Sequence, residues 1–261
     1  MAHTIYENKV LANKIESLLE TAVDMNAYMT IDNSLTHEAG MKKAINVYTA
    51  NGNVEDLAMG QGNSGEIEVS FTTREYEVAT TQGKFSYFDE QEMKDPMVVE
   101  VGLKAVAETM TNDLTTKAIA EMDKTSNVVY FTSGAGITFD TVVDSIAKLN
   151  TEDESGLFLL INPAEKAQVR KSLGDDLKYT EGFARTGYIG TVCGVPVIVS
   201  KAVPASKAFL GTKDAVTCFV KKGSEIEQER NADIRKNDVF ARKVMLVALT
   251  DESKIVKLIE Q

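Results

Sequence analysis

The feature that most constrains the fold of this chain is a long helical pattern that begins at Asp95-Pro96. Asp95 is placed to cap the helix and Pro96 to open it, which is a strong start signal. The pattern ends at Met122 and predicts a helix of about 27 residues and about 40 Å, long enough to span a domain. Its apolar residues recur every three or four positions, at Val99, Leu103, Val106, Met110 and Leu114.

A projecting hairpin is predicted before this helix. Residues 43–48 are typical of a short strand, and residues 66–72 alternate polar with apolar side chains, as in a strand with one wet face. The stretch between them is rich in Gly and Asn, which places the tip around residues 60–63. A two-stranded ribbon is marginal alone, so we expect a partner for it; the alternative is an ordinary hairpin folded onto its own domain. Further strands are predicted at residues 75–79 and 84–88.

The second half of the chain alternates predicted strands with predicted helices, which is the order of an α/β unit. Thr138 and Asn162 are placed as helix caps, and Pro163 as the first residue of the second helix. The strands are predicted at residues 128–131, 157–161 and 195–200, and the helices at residues 139–149 and 163–174.

Two glycine-rich stretches invite comparison with phosphate-binding loops. The loop at residues 132–136 precedes a helix, but a phosphate loop carries Gly-Lys-Ser or Gly-Lys-Thr there, and the first lysine of this helix is Lys148. In the run from Gly187 to Pro204, Gly194 is followed by a β-branched segment where a nucleotide site would need a helix. Both stretches are therefore interpreted as structural.

The C-terminal region is predicted to form a paired sheet that packs on the long helix. Between the first two of its strands lies a charge cluster, residues 225–236, in which the period-two alternation is poor. We interpret the cluster as a solvated face, with a salt-dependent contact to a neighbouring chain as the alternative. The strands are predicted at residues 215–221, 239–249 and 254–259.

Composition argues against several classes of function. The formal net charge of −11 argues against a dedicated nucleic-acid binder, since affinity for phosphates comes from clustered Lys and Arg. His3 and His37 leave little material for general base chemistry, and Cys193 and Cys218 are predicted to be small buried hydrophobes. No catalytic, metal-ligating or cofactor-binding residue is therefore proposed, and no cofactor.

The N-terminal region is predicted to contain an amphipathic helix, in residues 5–25. It is either a packed surface helix or an arm that lies along a neighbouring chain. The sequence contains neither a long apolar run nor a charged leader, so we expect no transmembrane helix, no secretory signal and no membrane partner.

Three pieces of the chain, taken in order, resemble the major capsid proteins of tailed bacteriophages that share the Hong Kong 97 fold. They are the segment from 47 to 88, the helix from 96 to 122, and the Gly-Val-Pro-Val segment at 194–197 with the strand-rich region after it. The resemblance lies in their order and spacing and covers most of the chain.

The resemblance implies an α+β, Hong Kong 97-like capsid fold with an N-terminal arm, an extended β-hairpin loop, a long spine helix with a peripheral sheet, and an α/β axial domain. The implied ranges are 1–42 for the arm, 43–92 for the extended loop, 93–135 for the peripheral domain with the spine helix, 136–222 for the axial domain, and 223–261 for the C-terminal strands of the peripheral domain.

By the same resemblance the chain would be a non-enzymatic major capsid protein of the virion, assembled in the host bacterial cytoplasm. Copies of it would form the hexamers and pentamers of an icosahedral phage head around double-stranded DNA, which it would not bind sequence-specifically. Portal and scaffolding proteins are further partners that the resemblance allows. Inter-subunit contacts are expected at Leu57, Met59, Arg74, Glu75, Lys84, Glu227, Glu229, Arg230, Asp233 and Arg235.

Two alternatives stay open. One is an encapsulin-like nanocompartment shell protein, which would enclose a cargo enzyme instead of a genome. The other is a cytoplasmic α/β enzyme that uses the loop around Gly134 or Gly187, which should show a convergent pocket of titratable residues. Some family members cross-link neighbouring chains through a Lys and an Asn; Lys84 and Asn237 have these residue types, and no contact between them is proposed.

Overall fold

The computed structural model of the protein describes residues 25–134, 136–151, 154–177 and 190–261. The helices are α1 (Asp89–Lys94), α2 (Met97–Met122), α3 (Phe139–Leu149) and α4 (Pro163–Leu177). The strands are β1 (Thr30–Asp32), β2 (Lys42–Asn51), β3 (Glu68–Glu77), β4 (Ala79–Phe88), β5 (Val128–Phe131), β6 (Leu157–Ile161), β7 (Thr191–Val192), β8 (Val195–Val199), β9 (Lys207–Thr212), β10 (Val216–Asn231), β11 (Lys236–Leu249) and β12 (Ile255–Glu260). Apart from Met25, the helix predicted at residues 5–25 lies outside the described residues.

The predicted long helix is α2, which has 26 residues and begins one residue later than expected. The Asp95 carboxylate accepts a hydrogen bond from the Met97 N–H at 3.0 Å, as expected of a capping side chain, and Pro96 has a helical φ of −59°. The C-terminal half of α2 is buried in the core of the protein, at Leu114, Thr115, Ala118, Ile119 and Met122.

The first sheet has four strands in the order β1-β10-β11-β4, and α2 packs against it as predicted. Strands β10 and β11 pair from Val216↔Leu249 to Asn231↔Lys236, so the strand predicted at 215–221 was ten residues too short. Residues 226–231 are exposed, and no apolar face is imposed on them by burial. For this reason the sequence there does not alternate as a half-buried strand does.

The second sheet has six strands in the order β5-β12-β9-β6-β8-β7. Because successive side chains of a strand point to opposite faces, Phe158 and Leu160 of β6 pack with the buried end of α2. On the other face, Leu159 packs in a cluster with Val142 of α3 and Val169 of α4. The predicted α/β unit is therefore present, with both helices on one face of the sheet.

The closing strand β12 does not lie in the C-terminal sheet that the sequence predicted for it. It pairs with β5 in parallel and with β9 in antiparallel, so it belongs to the six-stranded sheet and not to a sheet with β11. Ile255, Val256 and Leu258 are all buried, and because neighbouring side chains of a strand point to opposite faces, this strand requires a sheet that is covered on both faces. The two sheets thus combine strands from several of the predicted domain ranges, whose boundaries stay a prediction.

The glycine run before Pro204 contains a tight hairpin turn. Cys193 and Gly194 join β7 to β8 with φ angles of 53° and 79°, the two successive positive values of a type I′ turn. The strand predicted after Gly194 is confirmed as β8. It is only partly buried, because Val195 is buried, Pro196 is exposed and the three residues that follow are half-buried. Residues 187–189 lie outside the described part of the chain.

Local capping follows the sequence closely in the α/β unit. Strands β5 and β6 and helix α3 have the predicted bounds. The Thr138 side chain accepts a hydrogen bond from the Thr141 N–H, and the Asn162 side chain accepts one from the Ala164 N–H at 2.9 Å.

Candidate interaction surface

Strand β3 is exposed from the tip of the β2–β3 hairpin to Thr73, and the hairpin becomes half-buried nearer the body, at Ile45, Arg74 and Tyr76. The two strands pair without a break from Lys42↔Glu77 to Asn51↔Glu68. Ile67, Val69 and Phe71 occupy alternate positions and are 60%, 63% and 64% exposed, so they form an apolar row on one face. A ribbon of two strands with an exposed apolar face is marginally stable alone, so this face is a candidate for contact with another chain.

The tip of the hairpin is a loop closed by its own hydrogen bonds. The Glu55 carboxylate accepts bonds from the Ser64 hydroxyl at 2.5 Å and the Ser64 N–H at 2.8 Å, and these bonds hold the pKa of Glu55 below its usual value. Met59, beside Gly60, is 105% exposed and Leu57 is half exposed, so the predicted position of the tip is confirmed. Sequence reasoning missed the Glu55–Ser64 clip, since no spacing rule joins these two residue types across a loop.

The root of the hairpin is fixed to the body of the protein by Arg74, one of the predicted inter-subunit residues. Its Nη2 lies 2.5 Å from the Glu252 Oε1, and this hydrogen bond raises the pKa of Arg74. Ser126 donates a hydrogen bond to the other oxygen of Glu252, and the Tyr76 hydroxyl donates to the Leu249 carbonyl. In this structure Arg74 therefore positions the hairpin on its own chain.

The predicted charge cluster also has partners within the chain. Lys84 pairs with Asp238, which further accepts hydrogen bonds from Ser86 and Lys236 and therefore has a pKa well below its usual value. Further ion pairs of the cluster include Arg230 with Asp89, Arg235 with Glu90, and Glu227 with Arg242. Of the remaining predicted contact residues, Glu75, Glu229 and Asp233 are exposed.

Asn237 is buried between these charges. Its Nδ2 donates a hydrogen bond to the Asp89 Oδ1 at 2.6 Å, and the hydrogen bonds from Arg230 and Asn237 lower the pKa of Asp89. The side chain is 5% exposed, so it supports the end of the sheet in this structure.

The glycine loop after β5 does bind an anion, which is a carboxylate of the same chain. Glu260 Oε1 accepts hydrogen bonds from the Ser133 hydroxyl at 2.9 Å and the Gly134 N–H at 3.2 Å. Hydrogen bonds from the side chains of Ser206 and Ser133 and from the Gly134 N–H lower the pKa of Glu260. Two donors of this loop therefore fix the end of β12, which agrees with the structural interpretation of the loop.

The cysteines differ in environment. Cys218 is buried in the core, as predicted, whereas Cys193 is only partly buried in the β7–β8 turn. In the described ranges, no group of three or more His, Cys, Asp and Glu side chains has the arrangement of a metal site. Among the helices of the described part of the chain, none combines the length and apolar composition needed to cross a membrane.

The chain is similar to known proteins both in sequence and in fold. A family model described as "Phage capsid protein" matches residues 71–258. The major capsid protein of Staphylococcus phage phiMR11 is 22% identical over 268 residues, which cover 96% of this chain and 92% of that protein.

Solved structures share the fold at low sequence identity. The capsid of Ralstonia phage GP4 superposes with a TM-score of 0.71 and 8% identity, covering 92% of each chain. The holo-SrpI encapsulin complex from Synechococcus elongatus superposes with a TM-score of 0.62 and 13% identity, covering 99% of this chain and 91% of that one.

Proposed function

The chain belongs to the phage capsid protein family and has the α+β fold of Hong Kong 97-type capsids, and from this premise we propose that it is a major capsid protein that binds copies of itself to form a closed shell. Its similarity along nearly its whole length to a protein named as a major capsid protein supports this proposal. Shell formation is a structural role and requires no catalytic residue.

The observation that carries the proposal is the exposed apolar row of the β2–β3 hairpin, together with its exposed tip. Its apolar row, Ile67, Val69 and Phe71, and its preformed tip at Leu57 and Met59 are too exposed for a lone subunit. A second copy of the chain supplies a partner in a repeating contact, and head-to-tail contacts of this kind close into rings. Interlacing hairpins would add buried area to each contact without requiring high pairwise affinity.

The finer proposal is an icosahedral phage head built of hexamers and pentamers around double-stranded DNA. The protein would be assembled in the host bacterial cytoplasm and reside in the virion, with portal and scaffolding proteins as further partners. Leu57, Met59, Glu75, Glu229 and Asp233, which are exposed, would contact neighbouring subunits directly. The five other predicted contact residues would do so only by exchanging the ion pairs that they form here; these are Arg74, Lys84, Glu227, Arg230 and Arg235.

Negative-stain electron microscopy of the full chain, expressed alone and with its genomic neighbours, tests the proposal. We expect closed shells or rings of five and six subunits. A small monodisperse particle under every condition would contradict the proposal and favour the α/β enzyme.

A hairpin variant tests the observation itself. Val69→Thr with Phe71→Ser removes apolar contacts from the row, and we expect subunit association to weaken about tenfold or more while thermal unfolding of the isolated subunit is unchanged. Thr72→Ser, on the opposite face of β3, is the matched control and should assemble normally. Normal assembly of the double variant would show that the row is not an interface.

An encapsulin-like shell is the second candidate. It is supported by the similarity in fold to the holo-SrpI encapsulin complex. The two candidates differ in what the shell contains. Nuclease-resistant DNA inside purified particles would support the phage head, whereas a co-purifying protein inside nucleic-acid-free particles would support the nanocompartment.

A further inference from the structure

Helix α3 leaves an apolar stripe uncovered on its outer face. Phe139 and Val143 are 47% and 43% exposed, although they lie four residues apart on a helix whose other face fills the core. The stripe continues into a groove of about 490 Å³ between the end of α3 and the β7–β8 turn. Its apolar lining comes from Val143, Ile146, Ala147 and Cys193.

One carboxylate lines this groove and two more lie on helix α3. Glu154 lines it directly, and Asp140 and Asp144 are exposed on α3 beside the apolar stripe. Burial raises the pKa of the Cys193 thiol, and the negative charges of Glu154 and Asp140 raise it further. A partner that fits this groove would therefore bring apolar contact area together with positive charge.

The neighbouring helix α4 carries a surface of that description. Ala164 and Ala167 are exposed, and Arg170 and Lys171 extend from the same outward face, opposite the buried Val169. The alanines let another surface approach closely, and the long basic side chains can place their methylene groups on apolar surface while their charges reach carboxylates. One subunit thus presents both an acidic apolar groove and a basic ridge.

We infer that the α3 groove of one subunit receives the basic ridge of α4, defined by Ala164, Ala167, Arg170 and Lys171, from a second copy of the chain. The occupant is a second copy because both complementary surfaces are on the same chain but are distinct, and such a head-to-tail contact repeats around a ring. This inference rests on the proposed function, because it names one contact within the shell.

A cysteine cross-link tests the contact directly. Cys193 lies in the groove and Cys218 is buried, so Arg170→Cys adds one accessible thiol on the ridge. Disulfides require Cα atoms within about 7 Å, so oxidation with diamide should join chains only if ridge and groove meet. We expect a ladder of covalent oligomers on a non-reducing gel, present for Arg170→Cys and lost when Cys193→Ser is added.

The matched control is Lys213→Cys, which places an exposed thiol in the connection between β9 and β10, outside the helical layer and away from the proposed contacts. It should give no Cys193-dependent ladder. If neither Arg170→Cys nor Lys171→Cys gives that ladder in particles seen intact by electron microscopy, the inference is wrong while the proposed function stands. If the unmodified chain never forms shells or rings, the proposed function itself fails.

Charge reversal gives an independent readout. Glu154→Lys should weaken subunit association about tenfold, and Arg170→Glu should do the same alone. Combining the two changes should restore most of the loss, because the interacting charges are exchanged and not removed. Losses that simply add in the double variant would overturn the contact, provided that each variant retains the circular dichroism spectrum of the parent.

Discussion

At the scale of single residues, two glycines determine how closely α2 approaches the sheet. A Cβ at Gly102 would lie 2.3 Å from the ring of Phe85, and one at Gly83 would lie 2.8 Å from the side chain of Val106. Gly102 lies inside a helix, where it costs about 1 kcal/mol relative to alanine. Its presence there is explained by the close approach of β4, which the helix pattern alone does not reveal.

Gly102→Ala is therefore expected to destabilise the protein by about 1 kcal/mol net, because the clash with Phe85 outweighs the gain in helix propensity. Urea unfolding followed by circular dichroism measures the change. Adding Phe85→Leu should recover at least part of the loss by shortening the ring that clashes. Ala107→Gly, at an exposed position of the same helix, gives the propensity reference; a stabilising Gly102→Ala would refute the packing argument.

The lowered pKa of Asp238 predicts that the stability of the protein depends on pH. Hydrogen bonds from Ser86 and Lys236, with a further contribution from Lys84, lower its pKa from the usual 3.8. A lowered carboxyl pKa stabilises the folded state above the unfolded pKa, and this stabilisation is lost as pH falls through the folded value. Asp238→Asn should thus lower the free energy of unfolding at about pH 7, and its difference from the parent should shrink below about pH 4.

The measurement for Asp238 is a series of urea unfolding curves over that pH range. Asp233→Asn, at the exposed turn between β10 and β11, is the control and should change little at any pH. A difference between Asp238→Asn and the parent that stays constant with pH would mean that the effect is steric and not electrostatic.

At the scale of elements, the sequence predicts the bounds of helices and strands that are fixed by a capping residue or by burial. Helix α3 and strands β5 and β6 have the expected bounds, since Thr138 caps the helix and β6 is buried along its whole length. The end of β10 was missed because its exposed residues are stabilised by cross-strand ion pairs, such as Glu227 with Arg242, which leave no apolar period. The sheet of β12 was missed because strand pairing over long separations is set by topology.

For the interaction surface too, local features could be predicted from the sequence and contacts between distant residues could not. The exposed hairpin and its tip could be predicted, because polar alternation and a glycine-rich loop are local signals. The intrachain partners of Arg74 and Lys84 could not, since they join residues that are far apart in sequence, at Glu252 and Asp238. Residue type alone indicated charge pairing there and left open which chain supplied the partner.

The turn between β7 and β8 depends on the positive φ that Gly194 adopts. Gly194 has a φ of 79°, where a Cβ is strained, so Gly194→Ala should destabilise the protein by about 1–2 kcal/mol. Gly223→Ala is the matched control, because Gly223 has no positive φ and a Cβ there would meet nothing within 4 Å. Equal unfolding midpoints for the two variants would exclude the type I′ turn as the reason for this glycine.

At the scale of the whole molecule, the two sheets are joined by one core. The buried end of α2 packs against residues of both sheets, including Phe158 of β6 and Val247 of β11. The hairpin of β2 and β3, in contrast, is fixed mainly at its root by Arg74 and the buried Val78. The apolar row of the ribbon, Ile67, Val69 and Phe71, lies outside this core.

The net charge of −11 predicts that the protein does not bind double-stranded DNA. Binding to phosphates requires clustered cations that release counterions, whereas many of the described Lys and Arg side chains are already paired, such as Arg230 with Asp89 and Lys207 with Asp123. In a gel-shift titration at about 50 mM NaCl, the purified protein should leave double-stranded DNA unretarded. Retardation that weakens steeply with salt would reveal a basic surface and would contradict a shell that encloses DNA without binding it.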